Sequence, residues 1–306
     1  MGNLKDRYIN LFTDFGFKKL FGTELNKPLL IDFLNELLGK DAGIITDLSF
    51  LSTEQLGRNR SDRKAIYDIY CKNQAGEKFI VELQKAKQNF FKDRSIYYST
   101  FPIQQQATKG DWNFELKAIY TIGILDFVFD EDRDSSDVVY RKVQLMDVGA
   151  KKVFYDKLTY IYLEMPKFRK SEDELESHFD KWVYIFKNLH KFTNRPKKLQ
   201  ERIFRQLFNE AEIAQLSENE YLEYEESLKD YRDLKNSIDT AFDDGIEKGI
   251  EQGIEKGIEK GIEKGELSKA IEVATKMILR GDSNEEITEI TELSIEQIEE
   301  LRHSLK

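Results

Sequence analysis

The chain has 306 residues, of which 40% are hydrophobic and 12% aromatic, so it is long enough to bury a core and to form two domains. It contains no apolar run of about 18 residues and no apolar stretch behind a basic start, so the sequence predicts neither membrane insertion nor export. The single cysteine, Cys71, excludes an internal disulfide and a multi-cysteine zinc site, which favours a reducing cytoplasm as the location.

The net charge of −10 is unevenly distributed along the chain. Residues 1–129 hold 18 Lys and Arg against 16 Asp and Glu, whereas the remaining residues hold 29 against 41. The first part therefore carries a charge of +2 and the rest a charge of −12. Because phosphate groups are attracted to positive charge, a polyanionic partner is expected on the N-terminal part.

The pattern of the first part predicts the order helix, three strands, helix, strand. Apolar residues at helical spacing, with Pro28 in the first turn and Gly39 as a stop, predict a helix at 27–39. A basic loop at 57–64 separates the first two strands, and a turn at 72–78 separates the second from the third. The remaining elements are predicted as strands at 44–52, 65–71, from 78 onward and at 116–127, and as a helix at 88–109 kinked by Pro102.

The second part is predicted to be mostly helical. Ser217 and Glu220 form a capping box for the last of its helices, whose apolar residues recur three or four apart and indicate a packing surface. Its elements are predicted as strands at 138–146 and 158–164 and as helices at 173–191, 197–214 and 218–242.

A glycine repeat, GIEK, occupies residues 243–266, with a glycine at every fourth position. Each interior glycine costs a helix about 1 kcal/mol relative to alanine, so the segment is either a linker or a helix that gains stability by self-association. Residues 267–306 then predict a small three-helix module. Residues 282–306 hold eight acids against Arg302 and Lys306, which favours a protein partner or self-association over DNA binding.

Two carboxylates are predicted to face each other across the turn at 72–78. If the turn centres on Ala75, antiparallel pairing matches residues whose numbers sum to 150, so Asp68 lies opposite Glu82. Gln84 shares the face of Glu82, and apolar Ile66 and Ile80 are also expected there, so a helix should cover part of it. Two close carboxylates repel unless a hard cation bridges them, so the pattern predicts a Mg²⁺ site; a solvated sheet face is the alternative.

These residues resemble a known nuclease superfamily. The element order, with Asp68, a gap of thirteen residues and then Glu82-x-Gln84, is similar to the PD-(D/E)XK nucleases. Seven segments more narrowly resemble the recombination-promoting nuclease (Rpn) family, often labelled transposases: TDFGFKKLFG, YDIYCKNQAGEKFIVELQ, FKDRSIYYS, QQQATKGDW, YLEMPKF, DKWVYIFKNL and YEESLKDYRDLKN. The tight acid spacing on a hairpin argues against the other transposase chemistry, the DDE triad of RNase H-like enzymes.

The resemblance implies an α/β fold with an αβββαβ nuclease-like core at 1–129 and a mostly α-helical C-terminal region. The expected divisions after the core are a second α+β part at 130–242 packed on it, the glycine repeat at 243–266 and the acidic module at 267–306. The implied function is divalent-metal-dependent endonucleolytic cleavage of DNA, using Mg²⁺ or Mn²⁺, in recombination, mobile elements or defence against foreign DNA. A degenerate nuclease fold that binds DNA or a protein without cutting is the alternative.

The resemblance also implies roles for individual residues. Asp68 and Glu82 match the metal ligands, while Gln84 takes the place of the usual lysine, which leaves Lys87 as a substitute source of positive charge. Asp14 lies in the D-x-x-F-K-x-x-F pattern and is either a third acid of the site or a helix cap.

Further residues are candidates for DNA contact. Arg94 and Gln106 match the helix after the ExQ strand and either contact phosphates or pack the helix. The basic loop could follow a DNA backbone or be merely solvated, and its candidates are Arg58, Arg60, Arg63 and Lys64. A homo-oligomer through the C-terminal helices is expected to bring two sites together on one duplex.

Overall fold

The computed structural model describes residues 6–39, 42–55, 64–107, 113–132 and 138–305. The chain divides into two compact units, Met1–Asn236 and Ser237–Lys306. The first unit contains a mixed sheet with helices on both faces, and the second is helical.

The described helices begin and end as follows: α1 Asp14–Phe21, α2 Lys27–Leu38, α3 Phe91–Gln104, α4 His178–Asn188, α5 Arg202–Glu210, α6 Glu218–Arg280, α7 Asn284–Thr291 and α8 Ile295–Ser304. The described strands are β1 Leu48–Phe50, β2 Glu54–Gln55, β3 Ala65–Ile66, β4 Ile69–Asn73, β5 Lys78–Gln84, β6 Ile119–Leu125, β7 Tyr140–Asp147 and β8 Lys152–Glu164.

The main sheet has six strands in the order β1-β4-β5-β6-β8-β7. The pairs β5 with β6 and β6 with β8 are parallel, and the other pairs are antiparallel. The sheet therefore continues past residue 129, where the sequence suggested a boundary. Because β8 is hydrogen-bonded to β6, most of the predicted second part at 130–242 lies in the same compact unit as the predicted core.

The register of the central hairpin is the predicted one. Ile69 pairs with Val81 and Cys71 pairs with Phe79, so paired residue numbers sum to 150. The turn is closed by the side chain of Asn73, whose Oδ1 accepts hydrogen bonds from the backbone N–H groups of Ala75 and Glu77 at 3.0 Å each. The position of Glu82 relative to Asp68 follows from this register.

The two faces of β5 are covered by different helices. Phe79, Val81 and Leu83 belong to the main core, which also contains buried residues of α1, α2, α4 and α5. On the opposite face, Ile80 is fully buried and lies in a smaller cluster with Tyr98 of α3 packed against it. A helix thus covers the Ile80 face, as expected from the apolar residue preceding Glu82.

Three local predictions are corrected by the structure. The strand expected at 65–71 is two strands, because β3 leaves the main sheet to pair with β2. Ile66 lies on that side ribbon and is 63% exposed, so it does not share the covered face with Ile80. The segment 218–242 is not a separate helix, since α6 continues as a helix through the glycine repeat to Arg280.

The start of α6 belongs to the first unit. Its predicted capping box is confirmed, because Ser217 N–H donates to the Glu220 carboxylate at 2.9 Å and Glu220 N–H donates to Ser217 Oγ at 3.4 Å. Tyr224 and Leu228 are buried, which confirms that this part of the helix is a packing surface.

The second unit contains a small three-helix cluster. Its buried apolar side chains come from the end of α6 and from the α7 and α8 segments, and they are Ala274, Met277, Ile287, Leu293 and Ile298. Ser283 and Ser294 cap α7 and α8 as the sequence predicts. Gly281 ends α6 with a φ of +98°, a left-handed conformation that glycine adopts readily.

Candidate active site

The candidate site lies at the carboxyl end of β5, on the face next to α3. Glu82 and Gln84 follow Ile80 on this face because side chains alternate along a strand. Asp68 immediately precedes β4 and occupies the position opposite Glu82 in the hairpin register. The strand pairing therefore brings the two predicted acids together.

Asp68 and Glu82 are fixed by backbone groups of the opposite strand segment. Leu83 N–H donates to Asp68 Oδ2 at 2.7 Å, and the backbone N–H of Asp68 donates to the Glu82 carboxylate. The second oxygen of Glu82, Oε1, is buried and has no hydrogen-bond partner. A buried carboxylate oxygen without a partner is energetically unfavourable, so this atom is available to a ligand.

Both carboxyl groups have raised pKa values. Burial raises the pKa of Glu82 well above its ordinary value, the neighbouring Asp68 raises it further, and Arg94 partly offsets the rise. Burial also raises the pKa of Asp68, and the hydrogen bond from Leu83 N–H opposes that rise. Two desolvated carboxylates at close range resist ionisation together unless a cation is present.

Gln84 is held in place by Arg94 of α3. Gln84 is 8% exposed, its Nε2 donates to the carbonyl oxygen of Ala86 at 2.8 Å, and its Oε1 accepts from the Arg94 guanidinium. The same guanidinium donates to Gln88 and lies 5.1 Å from the centre of the Phe91 ring. A positive charge therefore adjoins the strand position where the superfamily usually has lysine.

Asp14 and Lys18 of α1 lie near the acid pair. Lys18 Nζ contacts Asp14 Oδ2 at 2.9 Å, and the charge of Asp14 raises the pKa of Asp68 while that of Lys18 lowers it. The helix cap is Thr13, whose Oγ1 accepts from Gly16 N–H at 3.0 Å. The cap interpretation of Asp14 was therefore wrong, because its neighbour performs that role.

The other predicted site residues that the structure describes contact groups other than Asp68 and Glu82. Lys87 forms an ion pair with Asp130, and Lys64 contacts Glu54 at 2.7 Å. Gln106 binds the backbone of Lys117 through both ends of its amide, which is a structural role. Three of the predicted DNA contacts lie outside the described residues: Arg58, Arg60 and Arg63.

The donor set at the site suits a hard cation. In the described part of the chain, no set of three or more His, Cys, Asp and Glu side chains is arranged to hold a metal ion. Mg²⁺, however, is commonly bound by one or two carboxylates, with water and substrate phosphate as further ligands. The unpartnered Oε1 of Glu82 and the adjacent Asp68 carboxylate fit this requirement.

Comparison with protein-family models identifies the group to which the chain is related. The model for PD-(D/E)XK nuclease family transposases matches residues 11–241, a range that includes Asp14, Asp68, Glu82 and Arg94. The chain belongs to this family. Comparison with curated proteins found no match, and comparison with solved structures found none either.

Membership of the PD-(D/E)XK nuclease family transposases confirms the predicted resemblance and α/β fold, and it supports a nuclease-type function. The family match ends inside α6, before the glycine repeat. Among the described helices of this family member, none is long and apolar enough to cross a membrane.

Asp126, which no sequence prediction singled out, adjoins the site through its backbone, while its carboxylate contacts Tyr231 of α6 on the other face of the sheet. Asp126 follows β6, its backbone N–H donates to the carbonyl oxygen of Gln84 at 3.0 Å, and its Oδ2 accepts from Tyr231 at 3.1 Å. Burial raises the pKa of its carboxyl group, and Lys235 has an opposing effect. The signal in the sequence was an acid directly after an apolar strand, in the segment GILDF.

Proposed function

We propose that the chain is a divalent-metal-dependent DNA endonuclease. The observation that carries the proposal is the buried, unpartnered Oε1 of Glu82 beside Asp68, with the Arg94 guanidinium close by. A pair of half-buried acids at close range serves no evident packing purpose, whereas nucleases need carboxylates to hold Mg²⁺ or Mn²⁺ at the scissile phosphate. The family match supports the nuclease class of this assignment.

The residues of the site take separate roles in this proposal. Asp68 and Glu82 would hold the cation, which when bound would polarise a phosphodiester and make water a better nucleophile at neutral pH. Arg94 binds a phosphate oxygen and stabilises negative charge that develops during cleavage. Gln84 orients the guanidinium of Arg94 through its side-chain oxygen. Asp14 is proposed as a third acid near the pair.

The proposal replaces Lys87 by Arg94 as the source of positive charge. Lys87 is occupied by Asp130, whereas Arg94 is bound to Gln84 itself and lowers the pKa of Glu82. Gln106 is not proposed as a DNA contact, because its side-chain amide is hydrogen-bonded to the backbone of Lys117. Lys64 and the basic loop that precedes it remain proposed phosphate contacts, and the cytoplasm remains the proposed location. Recombination, mobile elements or defence against foreign DNA remain the proposed settings.

A second candidate function is DNA binding without cleavage. It is favoured by the amide of Gln84 in place of the usual lysine and by the lack of a three-acid metal set among the described residues. In this case the acids would be remnants, and Arg94 would serve only as a phosphate contact. The two candidates differ in whether a cation binds to Asp68 and Glu82.

A plasmid cleavage assay tests the proposal. Supercoiled plasmid is incubated with the purified protein and Mg²⁺ or Mn²⁺, with EDTA as the blank. Nicked or linear product is expected from the wild type and not from Glu82→Ala. The matched control is Glu115→Ala, which removes an exposed acid near the amino end of β6 and should leave cleavage unchanged. Product that persists in Glu82→Ala would indicate a contaminating nuclease and remove the assignment.

Calorimetry with Mn²⁺ separates the two candidate functions without relying on activity. The wild type and Glu115→Ala are expected to bind the ion, whereas Asp68→Ala and Glu82→Ala should show at least a tenfold loss of affinity. Equal binding by the wild type and the Asp68→Ala, Glu82→Ala double variant would place the cation elsewhere.

A further inference from the structure

A small aromatic pocket lies beside the candidate site. It has a volume of about 260 Å³ and is formed by the segment between β5 and α3 together with the segment after β6. Its rings come from Phe90, Phe91, Phe127 and Phe129. Pockets for drug-sized molecules measure about 300–1,000 Å³, so this one suits a single flat group.

Phe90 is presented to solvent by an unusual backbone conformation. Its side chain is 78% exposed, and its φ of +61° lies in the left-handed region that a bulky residue rarely adopts. Phe90 occupies the N-cap position of α3, where a phenyl ring has no polar atom to cap the helix. Such strain is concentrated at functional sites, and neither burial nor capping accounts for this aromatic side chain.

Phe127 meets two other aromatic rings of the pocket wall nearly at right angles. The Phe91 and Phe127 ring centres are 6.0 Å apart at 89°, and those of Phe127 and Phe129 are 5.7 Å apart at 87°. These edge-to-face contacts hold the walls in place, whereas the Phe90 ring packs against no other ring among the described residues. Phe90 therefore has a ring face available for stacking.

The charges around the pocket disfavour a phosphate and allow a neutral group. Lys87 is paired with Asp130 and Lys92 is paired with Glu131, so carboxylates neutralise both lysines. Lys92 Nζ also lies 4.6 Å from the centre of the Phe129 ring. A flat, uncharged, hydrogen-bonding group suits such a lining better than an anion does.

The pocket is connected to the candidate site through Arg94. The guanidinium of Arg94 lies 5.1 Å from the Phe91 ring centre and donates to Gln88, and both residues line the pocket. The same guanidinium donates to Gln84 in the site. A group in the pocket and a phosphate at Arg94 would therefore be neighbours, as a base and its own backbone are.

We propose that the pocket receives an unstacked nucleobase, stacked on Phe90, from the strand whose phosphate lies at Arg94. This inference rests on the proposed nuclease function and names its substrate class, which is single-stranded or locally unpaired DNA in preference to regular duplex. A paired base cannot enter because it remains in the helical stack, whereas every unpaired base has a face that can stack on an aromatic ring.

Binding measurements in a cleavage-deficient background test this inference. A short single strand and its duplex, each carrying the fluorescent base 2-aminopurine, are titrated with Glu82→Gln in the presence of Mg²⁺. Phe90→Ala is expected to weaken single-strand binding by about 5- to 100-fold and to change duplex binding less than twofold. Phe90→Trp should restore binding, because indole supplies a larger stacking face, and should quench the 2-aminopurine.

The matched control is Phe114→Ala. Phe114 is 79% exposed with a φ of +61°, so it matches Phe90 in exposure and in φ, but it precedes the amino end of β6. Its replacement should change neither binding curve, and thermal unfolding should show that all variants are folded.

The outcomes separate this inference from the proposed function. Equal losses on single strand and duplex, or no loss, in Phe90→Ala would overturn base stacking while plasmid cleavage by the wild type still stood. Selective loss on the single strand supports it even if the wild type cuts nothing. Single-strand affinity that Phe90→Trp fails to restore would also count against it.

Discussion

The guanidinium of Arg94 donates a hydrogen bond to the side-chain oxygen of Gln84. The two residues come from different elements, because Gln84 ends β5 and Arg94 lies in the first turn of α3. Gln84 therefore does not leave the site without positive charge. The strand supplies an amide that orients a cation from the helix, and the charge of that cation lowers the pKa of Glu82.

Replacement of Arg94 is the first prediction. Arg94→Ala should lower cleavage by about 10²–10³-fold, because one preorganised donor to a developing charge has about that effect. Its loss should also move the pH dependence of Mn²⁺ binding upward, because Glu82 then ionises less readily. Plasmid cleavage and calorimetry over a pH series measure the two effects. Lys72→Ala removes an exposed positive charge on β4 and serves as the control.

A lysine at position 84 should partly replace Arg94. The single variant Gln84→Lys is expected to retain measurable cleavage. The Gln84→Lys, Arg94→Ala double variant is expected to recover part of the activity lost in Arg94→Ala, because the lysine returns a positive charge to the same place. A double variant no more active than Arg94→Ala would show that the guanidinium acts through its shape or its contact with Phe91 instead.

Glu82 should destabilise the metal-free protein at neutral pH. Its raised pKa means that folding favours the protonated form, so its favourable contribution is complete below the pKa of the unfolded chain and is lost as pH rises through the folded pKa. Glu82→Gln should therefore raise the Tm at pH 7.5 by about 2–4 °C, which corresponds to about 1 kcal/mol in the free energy of unfolding. This rise in Tm should shrink near pH 4. Thermal unfolding in EDTA measures it.

Addition of Mg²⁺ should make the wild type more stable than Glu82→Gln. The cation binds the ionised pair in the folded protein, so it should raise the Tm of the wild type and leave that of Glu82→Gln nearly unchanged. Glu77→Gln, in the hairpin turn, is the matched control. A Glu82→Gln variant that is less stable than the wild type in EDTA at pH 7.5 would mean that the carboxylate is satisfied without a cation.

Sequence reasoning located the acid pair because it depends on local geometry. The turn at 72–78 fixes the hairpin register, and the register places Asp68 opposite Glu82. The Gln84 and Arg94 contact could not be read in the same way, because it depends on how α3 lies across the sheet. Spacing along the chain does not determine that packing, nor does it show that Thr13 caps α1 while Asp14 lies near Asp68.

The extent of the sheet and of α6 was harder to infer from sequence. The strands at 138–146 and 158–164 were found, but the pairing of β8 with β6 is long-range and leaves no local signal. The repeated glycines lowered the expected helix propensity, yet the structure continues α6 through them. Isoleucine and glutamate recur every four residues between the glycines, a spacing close to the helical period that a linker would lack.

His178 and Asp32 should make stability depend on pH near neutrality. His178 Nε2 lies 2.6 Å from Asp32 Oδ1, and this hydrogen bond is the largest cause of the raised pKa of His178, to which Glu36 and Glu201 also contribute. The pair stabilises the fold fully below about pH 6.5, the unfolded value, and this stabilisation is lost as pH rises through the folded pKa.

Thermal unfolding of the wild type and Asp32→Asn between pH 5.5 and 8.5 measures this effect. The variant keeps an oxygen that can accept from Trp182 Nε1, which donates to Asp32 at 2.7 Å. The difference in Tm should be largest at low pH and shrink as pH rises. The corresponding difference in the free energy of unfolding should stay below about 1 kcal/mol, because both side chains are about one-third exposed. If the difference in Tm did not depend on pH, the effect of Asp32→Asn would come from the Trp182 contact rather than from His178.

The glycine repeat should mediate self-association. Five isoleucines of the repeat are 47–59% exposed: Ile246, Ile250, Ile254, Ile258 and Ile262. A Cβ added at any of its glycines would meet no atom within 4 Å beyond the helix's own backbone, so a second copy could approach closely. Residues 245–266 hold six Glu against four Lys, a net charge of −2 per chain, so the repulsion between two copies is small. We expect a dimer in light scattering at tens of micromolar, and a monomer on truncation after Phe242.

Two variants of the repeat distinguish close helix contact from helix propensity alone. Alanine at all six glycines should raise helix content in circular dichroism, because each change favours the helix by about 1 kcal/mol, yet weaken the dimer because the added methyl groups separate the chains. Glutamine at the five isoleucines should also give a monomer. The monomers should nick plasmid more than they linearise it, since two sites no longer act together. Alanine variants that dimerise more tightly than the wild type would show that the glycines only weaken the helix.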